Sequence, residues 1–97
     1  MTNRPSLGDF ESLAGARFIL ETPGGEPVAA ELLTVTPHVR VARPDDPGFS
    51  LLFRAATADR LPQGMYPLAH DRLGRLDVFL VPVGRDADGL LLEAVFN

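Results

Sequence analysis

The chain has 97 residues, 45% hydrophobic and 23% charged, which is the size and composition of one globular domain, read here as residues 1–97. It contains no Cys, which excludes disulfides, thiolate nucleophiles and zinc–cysteine sites. All nine basic residues are Arg, scattered among 13 acids for a net charge of −4. Schiff-base and Walker-lysine chemistry therefore drop out, and no basic stripe marks a nucleic-acid surface.

The opening "MTNRPSLGDFES" carries no apolar run, and no segment approaches the ~20 apolar residues of a bilayer span. A cytoplasmic protein without a membrane segment is the expectation. Residues 6–14, "SLGDFESLA", predict a short helix capped by Ser6, with Asp9 placed to complete a capping box and Gly15 as its stop. Leu7, Phe10 and Leu13 share one face of it. Two turns of helix are unstable alone in water, so that face must dock.

From residue 16 to 97 the pattern is strands and turns. "ARFILET" (16–22) and "PVAAELLTV" (27–35) flank the turn "PGGE". "HVRVA" either extends the second strand past Pro37 or begins a loop, and "RPDDPG" (43–48) breaks the chain. "FSLLFRA" (49–55) is the next strand, followed by the loop "ATADR". "LPQG", "DRLG" and "DADG" each read as a turn ending in Gly, which assigns turn roles to Gly64, Gly74, Asp86 and Gly89. The segments between them have strand length and predict a meander of successive hairpins.

The chemistry-bearing residues do not converge on an active site. "DADG" has the beginning of a calcium loop, but its third acid is missing and "LLLEAVF" follows at once, so it reads as a turn. The histidines are His38 and His70, and the serines are Ser6, Ser12 and Ser50. None sits in a nucleophile elbow. His70, at a strand end before "DRLG", is expected to bond the turn or face water. Asp45 and Asp46 read as a solvated loop. "PGGE" lacks the spacing, the helix and the Lys of a phosphate loop. No catalytic residue, metal ligand or cofactor is assigned.

The segment from Leu76 to Asn97 is unusual. Leu76, Val78, Leu80 and Pro82 alternate with Asp77, Phe79, Val81 and Val83, and after the turn Leu90, Leu92, Ala94 and Phe96 alternate with Leu91, Glu93, Val95 and Asn97. Both faces of this hairpin are apolar in the middle, whereas a half-exposed antiparallel sheet alternates apolar with polar. One face must line the core. The other calls for cover from the N-terminal helix, a second sheet or another chain. Phe79, Val81, Leu91 and Val95 are the candidate contact face, and Pro82 predicts an edge, a bulge or a strand end.

"FSLLFRA" followed by "LPQGMYPLAHDRLGRLDVFLVPVGRDADGLLLEAVFN" resembles a family of small uncharacterised bacterial proteins with the pattern FSLLFR…LPQGxYxLxHxxLGxxxLFLVPVGxDxDGxxxEAVFN. "DFESLAGARFIL" is also similar, so the likeness spans most of the chain. Leu92 stands where the family often has Tyr, and Ala69 where it often has Glu. The family has no assigned activity. Its members' proximity to proteins of phage tail-collar type implies a structural or accessory role, within an assembled particle.

The expected fold is all-β, about six mainly antiparallel strands as a small barrel or sandwich, with one short N-terminal helix. The expected function is a non-enzymatic structural or interaction module that self-associates or binds a protein partner. The alternatives are a β-barrel holding a small molecule, and a weak hydrolase or metal-dependent enzyme using His70 and nearby acids.

Overall fold

A computed structural model describes residues 5–38 and 48–96. The predictions for "RPDDPG", for Asp45 and Asp46, and for "HVRVA" beyond His38 fall outside those residues, Gly48 excepted. The elements are α1 (Leu7–Glu11), β1 (Arg17–Glu21), β2 (Pro27–Pro37), β3 (Phe49–Ala55), β4 (Gly64–His70), β5 (Gly74–Asp86) and β6 (Gly89–Phe96). The strands close into a barrel in the order β1-β2-β3-β6-β5-β4, every neighbouring pair antiparallel. This is the all-β fold with a short N-terminal helix that the sequence predicts, in its barrel form.

The alternation of each strand decides what faces inward. β3 is the clearest case: Phe49, Leu51, Phe53 and Ala55 are buried while Ser50, Leu52 and Arg54 are not. Phe18 and Leu20 from β1, Leu32 from β2, Leu68 from β4, Leu80 from β5 and Leu92 from β6 meet them in one core. The Phe18 ring stands edge-on to Phe53, with centroids 5.4 Å apart. Six strands enclose a narrower space than the eight whose interior side chains just fill, and these bulky residues fill it.

One predicted connection is corrected. "LPQG" is not a hairpin turn, because β3 and β4 are not neighbours. The chain leaves β3, passes through 56–63 and enters β4 on the far side of the sheet, beside β1. Gly64 is therefore the first residue of β4, opposite Leu80, and it is not among the glycines with positive φ. The meander is two runs, β1-β2-β3 and β4-β5-β6, closed on each other by the β3·β6 and β1·β4 pairings. Arg85 ties the crossing segment down by donating to the carbonyls of Thr57 at 2.8 Å and Asp59 at 2.9 Å.

The helix caps an end of the barrel. Ser6 Oγ accepts from the Asp9 amide at 3.2 Å and Asp9 Oδ2 accepts from the Ser6 amide at 2.9 Å, which is a complete capping box. The Phe10 ring lies 5.6 Å from Phe49 and 5.5 Å from Phe96, and those two rings stack at 4.9 Å. Phe10 and Leu13 are both buried. After the helix, Gly15 donates to the Leu32 carbonyl at 2.7 Å and Ala16 accepts from the Leu32 amide at 3.0 Å, so docking the helix extends the β1·β2 pairing. This answers one question raised by the sequence: α1 completes the core at a rim, and does not cover the outer face of the β5·β6 hairpin.

Candidate functional site

The outer face of β4, β5 and β6 is where the four predicted contact residues lie. β5 crosses the barrel wall with Val78 and Leu80 buried and Phe79 between them exposed. β6 does the same with Leu92 and Ala94 buried and Val95 exposed. Phe79 is 48% exposed and Val95 52%, while Val81 and Leu91 are half-buried on the same face. Large apolar side chains spend free energy when left in water, about 25 cal/mol for each Å² that could have been buried.

The register shows that the patch is wider than the hairpin. Met65 on β4 is the direct partner of Phe79 and is 62% exposed. On the other side, β3 lies against β6, which sets Leu52 opposite Glu93 and Ser50 opposite Val95. Glu93 in turn faces Val81 on β5. Val83, 53% exposed, sits in a bulge where the β5·β6 register shifts between Pro82 and Gly84. A proline at the end of a paired stretch, followed by a bulge, is what its missing donor demands. Met65 was legible from the "DRLG" turn alone, because counting outward from His70 opposite Gly74 leads to it. Leu52 was not, since β3 and β6 meet only through the barrel's closure.

The turn residues have their own tasks. Asp86 Oδ1 accepts from the amides of Asp88 at 2.9 Å and Gly89 at 3.0 Å, and its carboxylate also receives Arg54, whose Nη2 is 2.7 Å from Oδ2. The "DADG" carboxylate is thus engaged as a turn cap and strand brace. The Arg54 hydrogen bond and, after it, the Asp88 amide hold the Asp86 carboxyl below the usual carboxylate range. A depressed carboxyl stabilises the fold above its unfolded value near 3.9, and that contribution is lost as pH falls through the lower folded value. In acid titrations of stability, the gap between wild type and Asp86→Asn should stay constant above about pH 5 and close below about pH 4.

Gly74 closes the other hairpin with φ 74°, a left-handed conformation in which glycine carries no side-chain penalty. His70 serves the same turn: its Nδ1 accepts from the Arg72 amide at 3.1 Å, and its ring packs 4.8 Å from Phe18. The imidazole thus ties the turn to the core. The Tyr66 hydroxyl donates to the Pro62 carbonyl, and burial pushes its phenol upward.

The structure brings together one pair that the sequence kept apart. His38 Nε2 lies 2.7 Å from Ser50 Oγ, and the His38 amide donates to the Gly48 carbonyl at 2.8 Å. Together these bonds fasten the end of β2 to the start of β3. Among the described residues the ring's one hydrogen-bond partner is Ser50.

Several surface grooves have ligand-sized volumes. One of about 700 Å³ is lined by Arg17, Glu31, Arg54 and Asp88, and one of about 670 Å³ by Glu26, Asp59, Arg60 and Leu61 among others. Both lie outside the packed barrel. In the first, Arg54 is already committed to Asp86 at 2.7 Å and to Glu31 at 3.7 Å. The lining of the first is mainly polar and charged, unlike that of a typical ligand pocket, while the second mixes charged groups with Pro23, Leu61 and Pro62. No described helix is long and apolar enough to cross a membrane.

Comparison with curated proteins and with solved structures gives no match. The family model described as Domain of unknown function (DUF6916) matches residues 5–96, which include the whole described barrel with its helix, and the chain belongs to that family.

Proposed function

We propose that this domain is a non-enzymatic interaction module whose outer β4-β5-β6 face docks another protein, as an accessory part of a multi-protein assembly. The observation that carries the reading is the run of outward apolar side chains across three adjacent strands: Met65, Phe79, Val81, Val83, Leu91 and Val95. Contiguous apolar patches on a protein's exterior mark interaction sites. The barrel's closure sharpens it. Strands paired on both sides discourage strand addition, so recognition runs through side chains on the wall. An assembly of phage-tail type is the setting implied by the family resemblance.

Phe79→Ser combined with Val95→Ser tests this without disturbing the fold, because both side chains are already about half exposed. Val81→Asp is a harsher probe, since it would place a carboxylate directly opposite Glu93. Sized in an extract of its own source, the tagged wild-type chain should run in a complex that the double variant leaves, while circular dichroism of the two remains the same. Co-migration of both proteins at the mass of one chain would overturn the reading.

A further inference from the structure

The centre of the apolar face carries one charge, and its surroundings are specific. On an antiparallel sheet the nearest same-face neighbours of a residue are its two cross-strand partners and the residues two before and two after it. For Glu93 these are Val81, Leu52, Leu91 and Val95. All four are apolar. The Glu93 side chain is half-buried among them, and among the described residues no ion pair or hydrogen bond reaches its carboxylate. Its two nearest arginines along the strands are otherwise engaged: Arg54 with Asp86 at 2.7 Å, and Arg85 with the crossing segment's carbonyls. A carboxylate ringed by apolar side chains is poorly placed for the fold, because covering the ring strips its water without giving it a partner.

We propose that the occupant of this face is a protein segment presenting one Arg or Lys flanked by apolar side chains, with the basic group seated on Glu93. The inference rests on the docking role proposed above and names the partner's chemistry. Charge complementarity selects the basic group: the patch would desolvate Glu93 on docking, and an ammonium or guanidinium replaces the hydrogen bonds that water supplied, which an apolar or acidic group could not do. The same charge argues against a second copy of this chain. A two-fold pairing centred on the face sets Glu93 against its own counterpart, between chains that each carry −4. Glu93 thus acts as the specificity element in a face that would otherwise accept any greasy surface.

The test is a random-peptide library displayed on phage and selected on the immobilised wild-type chain, with the enriched peptides then measured in solution. The expected result is enrichment of one basic residue between apolar residues. Affinity should fall about 10- to 100-fold on Glu93→Gln, as loss of a partly desolvated charge pair requires. A Glu93→Arg variant should instead recover binding to the peptide whose basic residue is changed to Glu. If face-dependent peptides emerge, lost with Phe79→Ser and Val95→Ser, but show no basic preference and ignore Glu93→Gln, the partner chemistry is wrong and the docking face stands. If no enriched peptide depends on Phe79 or Val95, the docking face fails with it. A chain that dimerises through this face, more tightly after Glu93→Gln, makes the occupant a second copy and overturns the proposal.

Discussion

Gly89→Ala is expected to cost about 2–4 kcal/mol of stability, a large share of the 5–15 typical of a domain. A Cβ at this position would lie 2.2 Å from the Ala55 carbonyl oxygen and 3.0 Å from its carbon. Those are backbone atoms, so no side chain can swing aside. Neither strand is free to retreat, because Leu90 pairs with Ala55 on β3 and with Arg85 on β5. The Gly89 amide is also fixed, donating to Asp86 Oδ1 at 3.0 Å. At about 4–8 °C per kcal/mol for a domain of this size, the melting temperature should drop by about 10–30 °C. Gly74→Ala is the control: its φ is 74°, but nothing lies within 4 Å of the added carbon, and a loss of about 1 kcal/mol is expected. Equal losses at the two glycines would mean that turn conformation, and not the approach of β6 to β3, sets the requirement at residue 89.

The second large effect is at the helix. Phe10→Ala should cost about 3–5 kcal/mol in urea or guanidinium unfolding, as for other fully buried Phe side chains. Phe10 is 1% exposed and its ring meets both Phe49 and Phe96, which belong to β3 and β6. Removing it opens a void at the rim where those strands end and frees a five-residue helix that has no stability of its own. The capping box and the Gly15 and Ala16 bonds to Leu32 would then fray together. A loss below about 1 kcal/mol would make α1 an appendage, with the barrel complete without it.

These two sites show what a sequence of this kind discloses. The phase of Leu7, Phe10 and Leu13 disclosed a docking helix, because a period near three or four needs no partner to be read. It could not disclose where the helix docks: the outer face of the hairpin was one of the places open to it, and it packs at the rim against Phe49 and Phe96 instead. The inward and outward sets of β5 and β6 were legible residue by residue from alternation, and Pro82 called for an edge, a bulge or a strand end, of which the structure has the bulge. Three similar turns, however, hide two different topologies. "DRLG" and "DADG" join neighbours, while "LPQG" ends a crossing, and nothing local separates them. The pairing of β3 with β6 sets residues such as Leu51 and Ala94 side by side from distant parts of the chain, so closure is invisible to local pattern.

The same division runs through the candidate face. Phe79, Val81, Leu91 and Val95 were found because both strands of one hairpin were apolar on both sides. Met65 follows by counting from a turn. Leu52, and with it the apolar ring around Glu93, appears only when β3 comes to rest against β6. Likewise Gly89 could be read as a turn residue, yet its strictest constraint comes from Ala55 across the barrel seam.

The most direct measurement is a photocrosslinking walk around the barrel. A crosslinking amino acid is placed singly at Met65, Phe79 and Val95 on the face, and at Glu26 and Ala87 in the exposed β1–β2 and β5–β6 turns. Each full-length variant is irradiated in an extract of its own source. The account predicts that face positions give the same discrete protein adduct and that Glu26 and Ala87 give none. Adducts from the turns alone, or none from any position, would contradict the claim that the β4-β5-β6 wall is where this protein works.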